Sequence, residues 1–444
     1  MILYQAETKE NRKLNAKNKQ IATAPTRYSI VEQMCDIAIV LCPFFFQYKS
    51  MIPGITLGEL ILIVACAPNI VKYSRNCTVN KTKIIVMYFL YSLIFTFIVI
   101  GVSDLQFTGV SMIEVMTRWI RYGTYVVFFV IFIDNYGCTE RALVLYRKFC
   151  LVVAAYTILQ TVFYYALGVV LPIKILPFPW NRTNEEVLSF FQNHYFRGFG
   201  PFIEPSDLAK FLLPGLAFSL YGWGNVISEK KSSSSFETVI IITAILCSTS
   251  VQGIMIAGVT CFCFLFSNNS ISIKKKIVFF VLFLLAILWL LTSNQFSAPL
   301  SRIVGLLSGE KQGYSSGMRL FRGFSYWRQL PFLNKLVGVG LGCVGEFAYE
   351  KNIVTEFDHY LRTLPNLEYG SGISLVLVQS GFVGFVFFIG FIYSTWKRID
   401  HVGKNILLQL IMILASGSGF LSVHTFFCCF LLFHERTIVS EDEE

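Results

Sequence analysis

Arginine side chains are the residues of this sequence best suited to bind a phosphate group. The planar guanidinium group makes paired, charge-assisted hydrogen bonds with phosphate oxygens, and it keeps its charge at any physiological pH. Most of the candidates lie between Ser293 and Ser371, a polar segment in a chain that is 55% hydrophobic. Because ordinary connections between helices run to about a dozen residues or fewer, a polar segment of this length predicts a functional loop.

The candidate phosphate ligands fall in two parts of the sequence. The first part lies directly before a mid-chain apolar run, and the second lies within the long polar segment. Arg319 and Arg322 are three residues apart, so they would share one face of a helix. We predict that the phosphate ligands are Arg197, Arg319, Arg322 and Arg328. The alternative is that these side chains bind ordinary anionic headgroups or form salt bridges within the loops.

Two carboxylates stand at the predicted boundary between loop and membrane, where one of them could act as a general base. Our first candidate is Glu368, which precedes the late apolar run, and our second is Glu204, which precedes the mid-chain one. The alternative for Glu368 is a solvated loop charge. The alternative for Glu204 is an acid stabilised by the N-terminal dipole of the helix that follows it.

Aromatic residues near the arginines could stack on a sugar ring; they are Tyr314, Trp327 and Tyr369. The alternative, which we favour, is that they belong to an aromatic belt at the membrane interface. We predict no metal site and no cofactor. The five histidines are scattered, no Asp-x-Asp pair is present, and the 12 cysteines show no zinc or redox spacing.

The composition predicts an all-α polytopic membrane protein. Only 14% of the residues are charged, against roughly 25% in soluble domains, and the mean hydropathy is +0.60. So much apolar surface cannot be hidden in one water-soluble core. The net charge of +10 does not indicate nucleic-acid binding, because the lysines and arginines cluster in short loops. In the basic N-terminal segment we expect no cleavable signal peptide.

Apolar runs that could cross a bilayer recur along the chain. We predict twelve spans, at about 33–48, 55–72, 84–102, 109–133, 149–171, 206–227, 237–250, 252–267, 277–293, 371–396, 405–419 and 420–434. Lysine and arginine gather in alternate connections, and the short connections between those carry almost none apart from Lys49. This positive-inside pattern places both termini in the cytoplasm.

The predicted organisation follows from these spans. It comprises a basic cytoplasmic tail (1–32), N-terminal transmembrane helices (33–171), a first long outward-facing loop (172–205), central transmembrane helices (206–293), a large outward-facing loop (294–370), C-terminal transmembrane helices (371–434) and an acidic cytoplasmic tail (435–444).

Several charged residues fall inside or beside the predicted spans, where an unpaired charge is costly. They are Glu59, Asp104, Glu114, Arg118 and Arg121. Glu114 and Arg118 are four residues apart, so we expect an ion pair on one helix face that Arg121 extends. We prefer this structural interpretation; the alternative is that these residues line a cavity for a lipid phosphate.

Three groups of residues, taken in their order, resemble the O-antigen polymerase and ligase superfamily of bacterial envelope glycosyltransferases. The groups are Arg197, Gly200, Glu204 and Pro205; then Arg319, Trp327, Pro331, Gly338, Gly340 and Gly342; then Gly381 and Gly384. The resemblance covers about residues 190–400. It rests on the order of the motifs, their spacing and their predicted side of the membrane.

The resemblance implies a GT-C-like fold of about twelve transmembrane helices in the bacterial inner membrane, with the long loops in the periplasm. It implies an enzyme that polymerises oligosaccharide repeat units carried on undecaprenyl diphosphate, with one lipid-linked glycan as donor and another as acceptor. The arginines named above would bind the diphosphate. Membrane lipids, a chain-length regulator and a flippase would be further partners, and no nucleic acid is expected.

Two alternatives remain open. Ligases of this superfamily carry a histidine about eleven residues before the Gly-x-x-Gly step, where this chain has Gly370, and His359 lies too early. This departure favours a polymerase over a ligase that transfers the glycan to lipid A core or a protein. The second alternative is a transporter or flippase of the same lipid, for which we would expect charge along a central path rather than on the outer face.

Overall fold

The computed structural model describes residues 29–434 except 53, 74, 104–108, 181–195, 226, 228–233, 268–271, 275, 278–280, 282–313, 356–369 and 418. Within these residues the regular secondary structure is helical. The α-helices are α1 (Ile30–Phe45), α2 (Leu57–Tyr73), α3 (Lys83–Ser103), α4 (Gly109–Phe128), α5 (Glu140–Leu167), α6 (Pro205–Tyr221), α7 (Ser234–Cys247), α8 (Val251–Ser267), α9 (Tyr314–Gln329), α10 (Phe332–Val337), α11 (Val344–Glu350), α12 (Gly372–Arg398), α13 (His401–Ala415) and α14 (Val423–Leu432). A π-helical turn, Phe129–Tyr136, continues α4, and a 3₁₀ turn, Trp223–Asn225, follows α6.

The helices have the character of a membrane protein, as the composition predicts. Among the described residues four helical stretches are long and apolar enough to cross a bilayer: Lys83–Val102, Met112–Tyr136, Glu140–Leu167 and Gly372–Arg398. Shorter apolar helices, such as α8 and α13, accompany them. Each predicted span except 277–293 overlaps a helix, and most of that one lies outside the described residues. The number of membrane crossings stays a prediction.

Helix α5 begins earlier than hydropathy predicts, at Glu140 rather than at about residue 149. Thr139 caps it by accepting a hydrogen bond from the backbone N–H of Ala142, which satisfies one of the unpaired donors of the first turn. Charged residues lower the hydropathy of the first turns of α5, but they have partners in the fold. Arg141 Nε, for example, lies 2.7 Å from Asp36 Oδ2. Partners from other helices therefore allow a polar stretch to continue an apolar helix.

The core lies where helices from both halves of the sequence meet. Helix α1 packs on α2 and α5, α6 packs on α7, α8 and α13, and α12 packs on α3. A second, smaller apolar cluster joins α9 to α11 with α3 and α12, through residues such as Val99, Tyr326, Phe347 and Val378. The described part of the large predicted outer loop is therefore a packed unit seated on helix ends.

Candidate functional site

The glycine run of the second motif lies in van der Waals contact with α12. Gly338, Gly340 and Gly342 have φ angles of 91°, 103° and 72°, in the region that side chains rarely adopt. A Cβ atom on Gly338 would lie 2.2 Å from the carbonyl oxygen of Gln379, and one on Gly381 would lie 2.3 Å from that of Leu336. Glycine is therefore required on both sides of this contact.

The contact coincides with a break in α12. Gly381 has φ 65° and ψ −168° inside the helix, so the carbonyl groups just before it lose their helical partners. The glycine run replaces these partners: the N–H of Val339 donates to Val378 O (3.0 Å) and the N–H of Gly340 donates to Gln379 O (3.1 Å). The second and third sequence motifs thus complete one another through backbone hydrogen bonds.

The same run is also hydrogen-bonded to α3 and α4. Leu341 donates its N–H to Thr96 Oγ1 at 2.7 Å and accepts from Trp119 Nε1 at 2.7 Å. Arg118 Nη1 donates to Gly342 O at 2.7 Å. Irregular backbone at this depth is tolerated in a membrane protein when protein groups satisfy it, and here three helices do so.

The ion pairs predicted within the spans are present, with one change of partner. Arg118 lies 3.4 Å from Glu114 and 3.4 Å from Glu346 of α11, which confirms the predicted pair. Burial raises the pKa of the Glu346 carboxyl, while the Arg118 guanidinium acts in the opposite direction. Arg121 does not extend this pair: its Nε lies 2.6 Å from Glu59 instead. Asp104 lies outside the described residues.

Helix α9 carries the arginines of the second motif, and it does not hold all three together. Gly323 brings α9 against the start of α12, since a Cβ atom there would lie 2.2 Å from Ser374 Oγ. Arg319 is partly exposed, whereas Arg322 is buried and its Nε donates to Tyr326 Oη at 3.1 Å. Arg328 is exposed, and nine residues at about 100° each place it on the opposite face from Arg319. Arg319 is therefore the arginine of α9 that differs from the other two, since it is neither buried like Arg322 nor on the face of Arg328.

The remaining predicted residues of this part divide into two groups. Trp327 is half-buried and donates from Nε1 to Lys335 O at 3.3 Å, so it supports the start of the glycine run. Tyr314 begins α9. Glu368 and Tyr369 lie outside the described residues, and their predicted roles stay predictions.

The first motif packs against the turn between α7 and α8. The N–H of Gly198 donates to Cys247 O at 2.9 Å. Arg197 donates from Nε to Thr249 Oγ1 at 3.0 Å and from Nη2 to Thr249 O at 3.4 Å. Glu204 is the N-cap residue of α6 and accepts from Ser206 Oγ at 2.8 Å. Both predicted residues are partly exposed at the end of the helix bundle.

A buried charged cluster beside Glu204 was not predicted. Asp207 Oδ1 lies 3.0 Å from Lys210 Nζ and 3.3 Å from His424 Nε2. An Asp and a Lys three residues apart in an apolar run were the only signal in the sequence, because His424 comes from α14. Among the described residues, no three His, Cys, Asp or Glu side chains are grouped so that they could hold a metal ion.

The connection between α13 and α14 contacts both parts of the site. A Cβ atom on Gly417 would lie 3.6 Å from Arg319 Cδ, so the Arg319 side chain rests on this glycine. Thr425 Oγ1 donates to Gly419 O at 3.0 Å, and the neighbouring His424 contacts Asp207. This glycine-rich turn therefore links the α9 arginine to the N-terminal end of α6.

A small cavity of about 30 Å³ lies beside this turn. Its lining includes Tyr88, Tyr122, Leu341, Gln379 and Gly419. A cavity of this size has room for a water molecule or two.

Comparison with protein-family models and with curated proteins finds no match for this chain. The resemblance to the polymerase and ligase superfamily therefore rests on the motifs and their spacing alone.

Proposed function

We propose that this protein is a membrane glycosyltransferase that polymerises oligosaccharide repeat units carried on undecaprenyl diphosphate into O-antigen or capsular polysaccharide. The observation that carries the proposal is the contact between the glycine run and Gly381. These residues belong to two motifs about forty residues apart, and backbone hydrogen bonds join them. A shared site explains why the motifs occur together.

In the proposed reaction the hydroxyl oxygen of one lipid-linked glycan attacks the anomeric carbon of another. The new glycosidic bond forms as the bond to the diphosphate breaks, and undecaprenyl diphosphate leaves. Arg319 and Arg197 stabilise the charge that develops on the leaving diphosphate. A carboxylate takes the proton of the attacking hydroxyl, with Glu368 as first candidate and Glu204 as second.

The hydrogen bonds of Arg197 suit this role. Thr249 accepts two hydrogen bonds from it, which fixes the plane of the guanidinium group before a ligand arrives. A preorganised donor costs little reorganisation during the reaction. Arg319 is held differently, since its aliphatic part rests on Gly417 and the side chain is partly exposed.

A transporter of the same lipid is the second candidate, because broken helices at binding sites are common in transporters. The break at Gly381 in α12 is such a feature. Buried or partly buried ion pairs of the described chain, however, fall into two groups, with the acids Asp36 and Glu237 in one and the acids Glu59, Asp207 and Glu346 in the other. Charge gathered near helix ends suits a site on one face of the membrane better than a path through it, so we favour the enzyme.

Chain-length distributions in cells test the proposal. We expect Arg319→Ala and Arg197→Ala each to abolish the ladder of polysaccharide lengths, because loss of one transition-state donor costs roughly 10²–10³ in rate. The matched control is Arg75→Ala, which removes an exposed arginine from the connection after α2. Intact ladders in both test variants, at normal protein levels, would overturn the site assignment.

A further inference from the structure

A second polar cavity opens at the connection between α1 and α2. Its volume is about 460 Å³, within the usual range for small-ligand sites. Two cationic side chains line it, Lys49 and Arg121, together with the hydroxyl-bearing residues Ser50 and Thr56. The lining residues, all of them in the described part of the chain, include no acid, so the cavity favours an anion.

A buried carboxylate fixes one of the two cations. Glu59 accepts from Arg121 Nε at 2.6 Å, from Tyr125 Oη at 2.7 Å and from the N–H and Oγ1 of Thr56 at 2.9 and 3.0 Å. The Glu59 side chain is 3% exposed and that of Arg121 is 37% exposed. Glu59 is thus saturated with hydrogen bonds behind the wall of the cavity, while the terminal amino groups of Arg121 remain able to donate to a planar or tetrahedral oxyanion.

Described residues on both sides of the second cation, Lys49, make hydrogen bonds and close contacts. The backbone N–H of Lys49 donates to Pro179 O at 2.8 Å, and Ser50 Oγ donates to Ile55 O at 2.7 Å across the turn. Gly54 has φ 80° and approaches Thr117 of α4 so closely that a Cβ atom would lie 2.8 Å from its Cγ2. These contacts hold the turn on α4, so the Lys49 and Arg121 side chains flank one fixed opening.

As the first two spans predicted from the sequence, α1 and α2 would place this cavity at a membrane boundary. Helices α1 and α2 have 16 and 17 residues, or about 25 Å at 1.5 Å per residue, slightly less than the ~30 Å hydrocarbon core. Their connection therefore lies near headgroup depth. At its tip Met51 is 96% exposed and Ile52 is 46% exposed, as expected of apolar side chains that dip into lipid.

We propose that this cavity binds the phosphate group of a membrane lipid, with Lys49 and Arg121 donating to the phosphate oxygens. In the reaction proposed above this lipid is the second of the two lipid-linked substrates. The identity of the lipid as a substrate rests on the proposed function, whereas the binding of a phosphate group in the cavity does not. Phe46 connects the two regions, because its ring contacts both the Arg121 guanidinium (5.6 Å) and the His424 ring (6.1 Å).

Binding of undecaprenyl phosphate to the purified full-length protein in detergent, measured by native mass spectrometry, tests the inference. Lys49 is exposed, so Lys49→Glu can be made without disturbing the core. We expect it to weaken binding by roughly tenfold or more. The control is Lys351→Glu, which reverses another exposed lysine outside the cavity and should bind as the unchanged protein does. Equal binding by both variants would overturn the inference.

Sodium pyrophosphate distinguishes a lipid from a soluble anion as the source of the phosphate. We expect it to compete with the lipid only at far higher concentration, because it lacks the apolar chain. If pyrophosphate bound as tightly as the lipid, the lipid assignment would be wrong. The measurement involves no sugar transfer, so its failure leaves the effects of Arg319 variants untouched, and failure of those variants leaves this binding result untouched.

Discussion

Buried charged side chains in the helices are held by partners from other parts of the chain. Asp207 of α6 contacts Lys210 one turn later and His424 of α14. The side chain of Lys210 is 12% exposed, so it relies on Asp207 for compensation. Removing one partner of a buried ion pair leaves the other charge uncompensated, whereas replacing both by apolar groups is often neutral.

We therefore predict that Asp207→Leu destabilises the protein by about 3–5 kcal/mol. The double variant Asp207→Leu with Lys210→Met should recover most of this loss. Thermal unfolding in detergent measures both. A double variant no more stable than the single one would show that the ion pair is not the source of the effect.

The sequence was enough to propose four arginines as phosphate ligands. It could not show which of these side chains are buried and which are exposed. Helical spacing alone separates Arg328 from Arg319. The burial of Arg322 depends on how α9 packs on its neighbours, which no local pattern reveals. His424 was missed for the same reason: its partner lies more than 200 residues earlier in the chain.

At the scale of elements, the predicted apolar runs overlap the helices because an apolar run is a local property of the sequence. Hydropathy misplaced the start of α5 because charged side chains there are neutralised by α1 and α7, through Asp36 and Glu237. Hydropathy also could not predict the contact between the glycine run and the break in α12. Such a contact depends on two backbones that approach one another from distant parts of the chain.

The glycine contact yields a prediction for these two elements. Gly338→Ala and Gly381→Ala would each bring a Cβ atom within 2.3 Å of a backbone oxygen, and both positions have positive φ. We expect each to lower stability by about 2–4 kcal/mol, combining overpacking and left-handed strain, and to reduce polymer formation.

The matched control is Gly390→Ala, in the same helix, where the nearest atom to an added Cβ is 4.0 Å away. The unfolding temperatures of the three purified variants test whether the contact stabilises the fold. Unfolding temperatures of Gly338→Ala and Gly381→Ala equal to that of Gly390→Ala would contradict the proposed contact.

Over the whole molecule, the arrangement that the charge pattern predicts stays a prediction, although two contacts join ends that it places on one side. Lys72 contacts Glu32 at 3.1 Å, and Arg398 Nη1 donates to Asn80 O at 2.9 Å. Each contact joins helix ends that positive-inside counting assigns to the cytoplasm. The same counting assigns the helix ends beside the candidate site and the Lys49 cavity to the opposite face.

Thiol labelling tests this orientation. Cys77 is exposed in a connection predicted to face the cytoplasm, so a membrane-impermeant maleimide should label it only after the cells are permeabilised. Lys174→Cys, introduced into a Cys77→Ser background, should be labelled in intact cells, since Lys174 is exposed in the first outward-facing loop. Labelling of Cys77 in intact cells would reverse the orientation and remove both sites from the periplasmic side.

The most direct test of the function is reconstitution of the purified protein in liposomes with an undecaprenyl-diphosphate-linked repeat unit as sole substrate. Gel analysis of the products should show a ladder that grows by one repeat unit per step, and the ladder should be absent with Arg319→Ala. A single transfer to lipid A core or to a protein acceptor, with no ladder, would identify a ligase. Movement of the substrate across the bilayer without any new glycosidic bond would contradict the enzyme altogether.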